Sequence, residues 1–485
     1  MSENIFKSAV YYHSKKEFKK AKEIYEGLLK VNPNNLAIMQ NYAALLSQTG
    51  EYKKADKVFE KCLEIKPKDA LILYNYGKFF QDQKKFDEAI RFYKNSFKIN
   101  PKKNLSQYNI GNIYLYKGQY KEAIDYFKKS LLVSPENYLA YNNIGIAYKK
   151  LGNFDQAIKF YEEALNKNKN YADGHVNYST MLLTLNKLEL GFKEYEWRKK
   201  SKVFSDYLNY RDLKIKSPIW LGEKISGKTI LIFAEQGIGD LIQFSRYLYA
   251  LRDKYNCKVI FRLKQNLSHF FKDDGIKIIT EKEKIPEHDF HNHIASLPGI
   301  FFKEFKNFPK TVNFINENEK IFKKWTNILD KYKGLKIGIN SHSTATVGER
   351  IIPLNNFIHL TNLKKINFFI IQKDFNKTKI SNINQNSNVN YFEDMDKNVK
   401  PFEDTIGIIK NLDLIITADT SLAHLAATLG KKTWIVLPFV SDWRWFNQDQ
   451  KSIWYNNVTL YKQKKIGDWD QVFKIISKDL KKNYN

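Results

Sequence analysis

Apolar and polar positions in the first 200 residues repeat with a period of 34 residues. Small side chains let two helices approach closely, large apolar side chains fill the remaining space, and proline ends a helix. Large apolar residues recur at Phe18, Tyr52, Phe86, Tyr120, Phe154 and Leu188, small ones at Ala21, Ala55, Ala89, Ala123, Ala157 and Gly191 and at Ala9, Ala43, Gly77, Gly111, Gly145 and Ser179, and prolines at Pro33, Pro67, Pro101 and Pro135. The pattern predicts six pairs of packed helices.

This pattern resembles the tetratricopeptide repeat, a helix–turn–helix unit with the same period. A single pair cannot bury its apolar face, so the pairs stack into an α-solenoid whose concave surface usually binds a peptide or a protein. We therefore predict a superhelix of about six repeats over residues 1–200 and a connector over residues 201–227. The repeats alone do not identify the partner, and such domains often form homodimers.

Beyond residue 227 the pattern changes to short apolar, β-branched runs that alternate with amphipathic helices. This alternation predicts βα units and parallel sheets, an α/β architecture. Two successive sets predict two Rossmann-like lobes, an N-terminal lobe over residues 228–310 and a linker with a C-terminal lobe over residues 311–485. The predicted strands are 228–234, 258–263 and 276–280 in the first lobe and 335–340, 366–372, 389–392, 412–418 and 433–438 in the second.

The first candidate motif is Gln236-Gly237-Ile238-Gly239-Asp240, directly after the first predicted strand and at the start of a helix. Glycine lets the backbone approach a ligand, and a helix N-terminus favours an anion. The motif lacks the Gly-Lys-Ser/Thr of a Walker loop and the full dinucleotide fingerprint. Asp240 also has a simpler interpretation, since an aspartate at this position often caps the helix.

The second candidate motif contains Asp419, Thr420, Ser421 and His424, between the strand 412–418 and a predicted helix that ends at Gly430. A carboxylate, two hydroxyls and backbone N–H groups lie where the helix dipole points into the predicted cleft. His424 lies one turn further along. It either faces the same ligand or packs as a structural histidine.

Several segments together carry a family resemblance: AEQGIGDLIQFSRY, ASLPGIF, IIQKD, TADTSLAHLAATLGKKTWIVLPFVSDWRW and SIWY. They resemble the glycosyltransferase family 9-like domain, which is related to the heptosyltransferases and occurs behind tetratricopeptide repeats in bacteria. The resemblance covers residues 215–480. The layout of repeats followed by a transferase is also similar to that of the protein O-GlcNAc transferases.

The resemblance implies a GT-B fold that binds a nucleotide-sugar donor and transfers the sugar with inversion. It implies that Asp240 is the base that takes the acceptor's proton and that Arg350 offsets charge on the leaving diphosphate. It also implies a donor site at Gly237, Gly239, Asp419, Thr420, Ser421 and His424. The family usually has a lysine and an aromatic residue where this chain has Arg350.

The sequence predicts no metal site and no bound cofactor. His288, His291 and His293 lie close together in a stretch that we predict to be a loop, and their spacing argues against zinc. The block Trp443-Arg444-Trp445 has two interpretations: it packs the C-terminal region across the lobes, or it lines the donor pocket and Arg444 meets a phosphate.

Composition adds little to this picture. The chain has 485 residues and a formal net charge of +28, with lysine spread along its whole length. A basic chain favours acidic partners, but no basic and aromatic element predicts specific nucleic-acid binding. Two cysteines, no leader-like apolar segment and no run of 18 apolar residues predict a cytoplasmic location, or one at the inner face of a membrane.

Two functions are the main alternatives on sequence grounds, with nucleic-acid binding through the net charge of +28 a distant third. The first is an inverting, metal-independent glycosyltransferase that moves a sugar from a nucleotide sugar to a protein or glycan acceptor recruited by the repeats. The alternative is a tetratricopeptide-repeat interaction scaffold with a degenerate glycosyltransferase-like domain. The sequence identifies neither the donor nor the acceptor.

Overall fold

The computed structural model describes residues 2–484 except 103–104, 205–212, 214, 343–350, 354, 362, 364, 373–387, 398 and 447–449. The chain divides into two compact units, Met1–Asn170 and Tyr171–Asn485, which we call the repeat unit and the α/β unit. The sixth helix pair therefore groups with the α/β unit. The domain bounds at residues 200, 227 and 310 stay predictions.

The repeat unit consists of paired helices with the predicted period. The helices are α1 Ser2–Ser14, α2 Phe18–Val31, α3 Leu36–Gln48, α4 Tyr52–Ile65, α5 Ala70–Asp82, α6 Phe86–Ile99, α7 Ser106–Tyr116, α8 Tyr120–Val133, α9 Tyr138–Lys150 and α10 Phe154–Lys167. Second helices end two residues before Pro33, Pro67, Pro101 and Pro135, as predicted. Asn35 and Asp69 cap the next first helices by accepting hydrogen bonds from backbone N–H groups.

The small residues that recur with this period allow close helix contacts, as the sequence predicts. A Cβ atom on Gly77 would lie 2.8 Å from the Tyr93 ring, and one on Gly111 would lie 2.7 Å from the Phe127 ring. Each of these rings is fully buried. At Gly77 and Gly111 the absent side chain therefore lets the first helix lie directly against an aromatic ring of its second helix, at a position where the first two repeats have alanine.

The α/β unit begins with one more helix pair and continues with two parallel sheets and their helices. The helices are α11 Ala172–Thr184, α12 Leu188–Tyr195, α13 Ile238–Phe244, α14 Arg246–Tyr255, α15 Leu297–Phe305, α16 Glu319–Leu329, α17 Asn355–Thr361, α18 Glu403–Lys410, α19 Ser421–Thr428 and α20 Trp469–Tyr484. The strands are β1 Thr229–Phe233, β2 Lys258–Leu263, β3 Ile276–Thr280, β4 Phe290–His293, β5 Leu335–Asn340, β6 Ile366–Ile370, β7 Val389–Tyr391, β8 Leu414–Ala418, β9 Thr433–Leu437 and β10 Val458–Lys462.

Both sheets are parallel throughout their described strands. The first has the order β3-β2-β1-β4 and the second β10-β9-β8-β5-β6-β7. In each sheet the order reverses beside its first strand, and ligands of open α/β sheets bind in the crevice at such a point, beyond the carboxyl ends of the strands. In the first sheet that point lies between β1 and β4, and in the second between β5 and β8.

Three local predictions differ from the structure. The stretch with His291 and His293 is the edge strand β4 and not a loop, because backbone pairing with β1 stabilises a segment whose side chains give no strand signal. The helix predicted over 241–255 is split into α13 and α14 at Ser245, whose hydroxyl donates to the Leu241 carbonyl oxygen and competes with the helix backbone. Strand β10 was not predicted.

Candidate functional site

The loop between β1 and α13 holds the first motif in a fixed conformation. Gln236 has a left-handed backbone with φ of 65°, which turns the chain sharply after the strand. Gly237 is the N-cap of α13, and its N–H donates to Asp240 Oδ2 at 3.2 Å. The Asp240 carboxylate therefore accepts a hydrogen bond from a backbone N–H group at the start of α13. This is a capping role, but from the third residue after the N-cap and not from the N-cap itself.

The second carboxylate oxygen of Asp240 forms an ion pair with the guanidinium of Arg444. Arg444 also donates to Asp442 Oδ1 at 2.8 Å and to Gln236 Oε1 at 3.2 Å. Burial would lower the pKa of Arg444, but the carboxylates of Asp240 and Asp442 outweigh burial and raise that pKa well above its ordinary value. Arg444 is thus a charged partner of Asp240, whereas Trp443 and Trp445 on either side of it are buried in the core.

The second motif follows β8 and lies deep in the α/β unit. Asp419 Oδ1 accepts a hydrogen bond of 2.7 Å from the Trp445 indole, and Thr420 is the N-cap of α19. His424 is only 3% exposed. Its ring stacks on Trp445 with centroids 4.9 Å apart, and its Nδ1 lies 3.1 Å from the Tyr455 hydroxyl.

The two motifs contact each other through Gly239. A Cβ atom at this position would lie 3.2 Å from His424 Cδ2 and 3.6 Å from Ser421 Cα, so the absent side chain lets α13 pack directly on α19. The structure therefore brings Gly237, Gly239 and Asp240 together with Asp419, Thr420, Ser421 and His424. Arg350, the other residue of the predicted site, lies outside the described residues.

A pocket of about 300 Å³ lies beside the first motif, at the carboxyl ends of β1 and β2. Gln236 and Gly237 form one side of it, and Arg262 and Lys264 form another. Glu281 adds a carboxylate after β3. The pocket lies beyond the carboxyl ends of the strands, on the side of β1 away from the β1–β4 point where the strand order reverses, and its two cations favour an anionic group.

The segment 191–200 at the end of the sixth helix pair has the sequence of a cap or of a bridge to the next domain, and the structure shows that it supports the loop of the first motif. Arg198 is fully buried and donates two hydrogen bonds to Glu235, from Nη2 at 2.7 Å and from Nε at 3.2 Å. Tyr195 contacts Gln236 through its hydroxyl at 2.8 Å. Tyr195 has a sequence signal, because it continues the periodic series Tyr25, Phe59, Tyr93, Phe127 and Tyr161. Nothing in the sequence identifies the Arg198–Glu235 pair.

A second set of polar residues lies on the first helices of the repeat unit. Asn75 donates from Nδ2 to Gln40 Oε1 at 2.7 Å, and Asn109 donates to the Tyr74 hydroxyl at 3.0 Å. Asn143 donates to Asn112 Oδ1 at 2.9 Å and to the Tyr108 hydroxyl at 3.3 Å. These amides bridge consecutive first helices and remain partly exposed. They recur once in every repeat, beginning at Asn41, and this recurrence is the signal that sequence analysis could have used.

The described residues were compared with the requirements of a metal site and of a membrane-spanning helix. They contain no group of three or more histidine, cysteine, aspartate or glutamate side chains placed to hold a metal ion. In the same part of the chain, no helix has both the length and the apolar character needed to cross a bilayer.

Comparisons with known proteins concern the repeats. Family models described as tetratricopeptide repeat match residues 12–74, 69–136 and 102–170. No curated protein matches the chain. Similar solved structures include the MamA protein (23% identity, 36% of this chain and 94% of that one, TM-score 0.30). They also include the type IV pilus biogenesis factor PilW (20% identity, 44% of this chain and 95% of that one, TM-score 0.37). A thermophilic TPR protein of Thermus thermophilus is similar as well (18% identity, 38% of this chain and 100% of that one, TM-score 0.33).

The family matches coincide with the paired helices of the repeat unit. Residues 12–170 therefore consist of tetratricopeptide repeats, a class of protein-interaction module.

Proposed function

We propose that this protein is an interaction scaffold whose repeats bind an extended polypeptide segment through its main chain. The observation that carries the proposal is the series of asparagine amides on consecutive first helices, at Asn75, Asn109 and Asn143. A primary amide has the same donor and acceptor pair as a peptide group. Regularly spaced amides can therefore bind a backbone of any sequence.

The distribution of charge supports a partner of this kind. Among the first helices, α3 and α7 contain no charged residue and α5 and α9 contain two each, whereas charged residues run through the second helix α4 (YKKADKVFEKCLEI). In these repeats the charge therefore lies mainly on the second helices. A polar and aromatic face of low charge favours a neutral segment that binds through hydrogen bonds and apolar contacts.

A peptide-binding experiment tests this function. Random 12-residue peptides are selected on the full chain, and affinities of the selected peptides are measured by fluorescence polarisation. We expect the variant Asn75→Ala/Asn109→Ala/Asn143→Ala to bind at least tenfold more weakly. Backbone N-methylation of a selected peptide should have the same effect.

A matched control separates binding from repeat stability. The variant Gln40→Ala/Tyr74→Phe/Tyr108→Phe removes partners of the same inter-repeat hydrogen bonds but keeps all three asparagines. It should bind peptides more tightly than the asparagine variant at equal helix content. Equal peptide affinities of the two variants would show that this scaffold function is wrong. So would an asparagine variant that binds peptides as tightly as the parent chain.

A second candidate function is sugar transfer by the α/β unit, as a glycosyltransferase family 9-like domain of GT-B fold. What favours it is the contact between the two motifs at Gly239 and His424. In this proposal Asp419, Thr420 and Ser421 bind the nucleotide-sugar donor, and the acceptor lies in the pocket beside Gln236. Asp240 takes the acceptor's proton once Arg444 leaves it for the diphosphate of the donor.

Thermal stabilisation by UDP, GDP, ADP, CMP and dTDP sugars tests the second function, because a ligand that binds only the folded state raises the melting temperature. We expect one nucleotide class to stabilise the chain and His424→Ala to abolish the effect. Asp240→Asn should keep donor binding and lose transfer. The absence of any shift across the panel would leave the scaffold as the whole function.

A further inference from the structure

A second pocket lies at the carboxyl ends of β9 and β10, and Trp445 forms part of its wall. It has a volume of about 280 Å³ and is lined by aliphatic side chains at Leu437, Leu460, Val472 and Ile475. This region is the outer part of the second sheet, away from the β5–β8 point where the strand order reverses. We call it the Trp445 pocket.

Its aromatic wall is held in an uncommon conformation. Phe446 has φ of 46° and ψ of 170°, a region that residues other than glycine rarely adopt. Such a backbone is strained and persists only where the surroundings enforce it, often at ligand sites. The strained turn places Phe446 next to Trp445 in the wall of the pocket.

The polar lining of the pocket combines two neutral amides, Gln450 and Gln463, with two cations. Lys462, the last residue of β10, and Lys464 both line it. Burial among apolar groups lowers the pKa of Lys462 to about 8, so the ammonium form still predominates at neutral pH. An anion in the pocket would stabilise this charged form, because it offsets part of the solvation that burial removes.

We propose that the Trp445 pocket binds a small organic carboxylate with a single ring or a short aliphatic body. The apolar and aromatic walls receive the body, and the ammonium groups of Lys462 and Lys464 receive the carboxylate. The volume lies just below the range of about 300–1,000 Å³ that is usual for small-molecule sites, which restricts the ligand to about this size. The proposal is independent of peptide binding by the repeats.

An occupant of the pocket would be one side chain away from the candidate site. The indole of Trp445 lines the pocket, donates to Asp419 and stacks on His424. Its emission therefore reports binding. A small carboxylate bound in this pocket would therefore be a second ligand, next to the β8–α19 motif but not in contact with the ligand of that motif.

Benzoate is the probe that tests the proposal. Titration of the full chain with benzoate should change tryptophan fluorescence saturably and raise the melting temperature. Benzamide has the same shape without the charge and should bind at least tenfold more weakly. The variant Lys462→Gln should lose at least tenfold in benzoate affinity, whereas Lys478→Gln, on the exposed side of α20, should bind like the parent chain.

A second variant tests the position of the site without removing charge. Ile475→Trp fills the pocket from α20 and should abolish benzoate binding while both lysines remain. No saturable response to benzoate would overturn the proposal. So would equal binding of benzoate and benzamide, or unchanged affinity in a folded Lys462→Gln or Ile475→Trp variant.

Discussion

At the scale of single residues, Gly239 decides how closely the two motifs approach. His424 cannot move away from an added Cβ, because Trp445 stacks on its ring and the Tyr455 hydroxyl lies at its Nδ1. Gly237, two residues earlier, has an ordinary φ of −88° and would place a Cβ 3.5 Å from Asp240 Oδ2, a normal contact. The two glycines therefore form a natural pair for comparison.

We predict that Gly239→Ala lowers the free energy of unfolding of the α/β unit by about 1–3 kcal/mol, the usual cost of an added group in a packed contact. Gly237→Ala should change it by less than about 1 kcal/mol. Urea denaturation followed by tryptophan fluorescence measures both values. A Gly239→Ala variant as stable as the parent would mean that α13 and α19 are not in this contact in solution.

Burial of His293 makes the stability of the α/β unit depend on pH. Burial, followed by the charges of Lys199 and Arg198, lowers its pKa well below the ordinary value. A histidine whose folded-state pKa is lowered stabilises the fold above its unfolded pKa of about 6.5. That stability is lost as the pH falls, because the unfolded chain binds the proton more readily.

We predict that the α/β unit loses about 1–2 kcal/mol between pH 6.5 and pH 5 through His293 alone, since one proton contributes up to about 1.4 kcal/mol per pH unit. The variant His293→Leu should show a smaller loss over this interval. Denaturation at each pH gives the two slopes. Identical slopes would show that His293 titrates normally in the folded chain.

At the scale of elements, the position of a glycine within the repeat determines whether its helix tolerates an added side chain there. Gly111 in α7 faces the buried Phe127 ring, whereas Gly27 in α2 has open space at the Cβ position. Both lie inside helices of the same unit. The same substitution should therefore have opposite effects at the two positions.

We predict that Gly27→Ala stabilises the repeat unit by about 0.5–1 kcal/mol through helix propensity. Gly111→Ala should destabilise it, because a Cβ 2.7 Å from the Phe127 ring forces the two helices apart. Thermal unfolding followed by circular dichroism at 222 nm measures both. Stabilisation by both alanines would contradict the close packing of α7 on α8.

At the scale of the whole molecule, the last helix pair belongs physically to the α/β unit. Leu188, Phe192 and Tyr195 lie in the same hydrophobic core as the strands β1 and β9. Arg198 is buried against Glu235. Removal of one partner of such a buried pair typically costs about 3–5 kcal/mol, because the other charge is left uncompensated.

We predict that a fragment of residues 171–485 folds cooperatively, whereas residues 201–485 do not. The shorter fragment leaves Glu235 without Arg198 and exposes apolar surface that α12 covers. Near-ultraviolet circular dichroism and dye binding distinguish a packed core from a loose one. A well-packed 201–485 fragment would show that the last helix pair is dispensable.

The repeat half of this fold follows from the sequence because its contacts are local. Small residues of a first helix meet an aromatic ring of the very next helix, as Gly77 meets Tyr93, so one period specifies both helices and their packing. The βα alternation likewise predicted parallel strands, since buried strands are apolar on both faces. Strand β4 escaped prediction because its residues, Phe290–His293, form no apolar, β-branched run, and only backbone pairing with β1 makes the segment a strand.

The sequence by itself determined the repeats, the α/β class and the two polar motifs after β1 and β8. Only the tertiary structure decided that the motifs meet at Gly239 and that Arg444 neutralises Asp240. It also decided that Arg198, from the end of the repeats, holds the loop of the first motif. The physical reason is the range of the interactions: periodicity encodes contacts between neighbours in the chain, whereas charge pairs between distant segments leave no periodic trace.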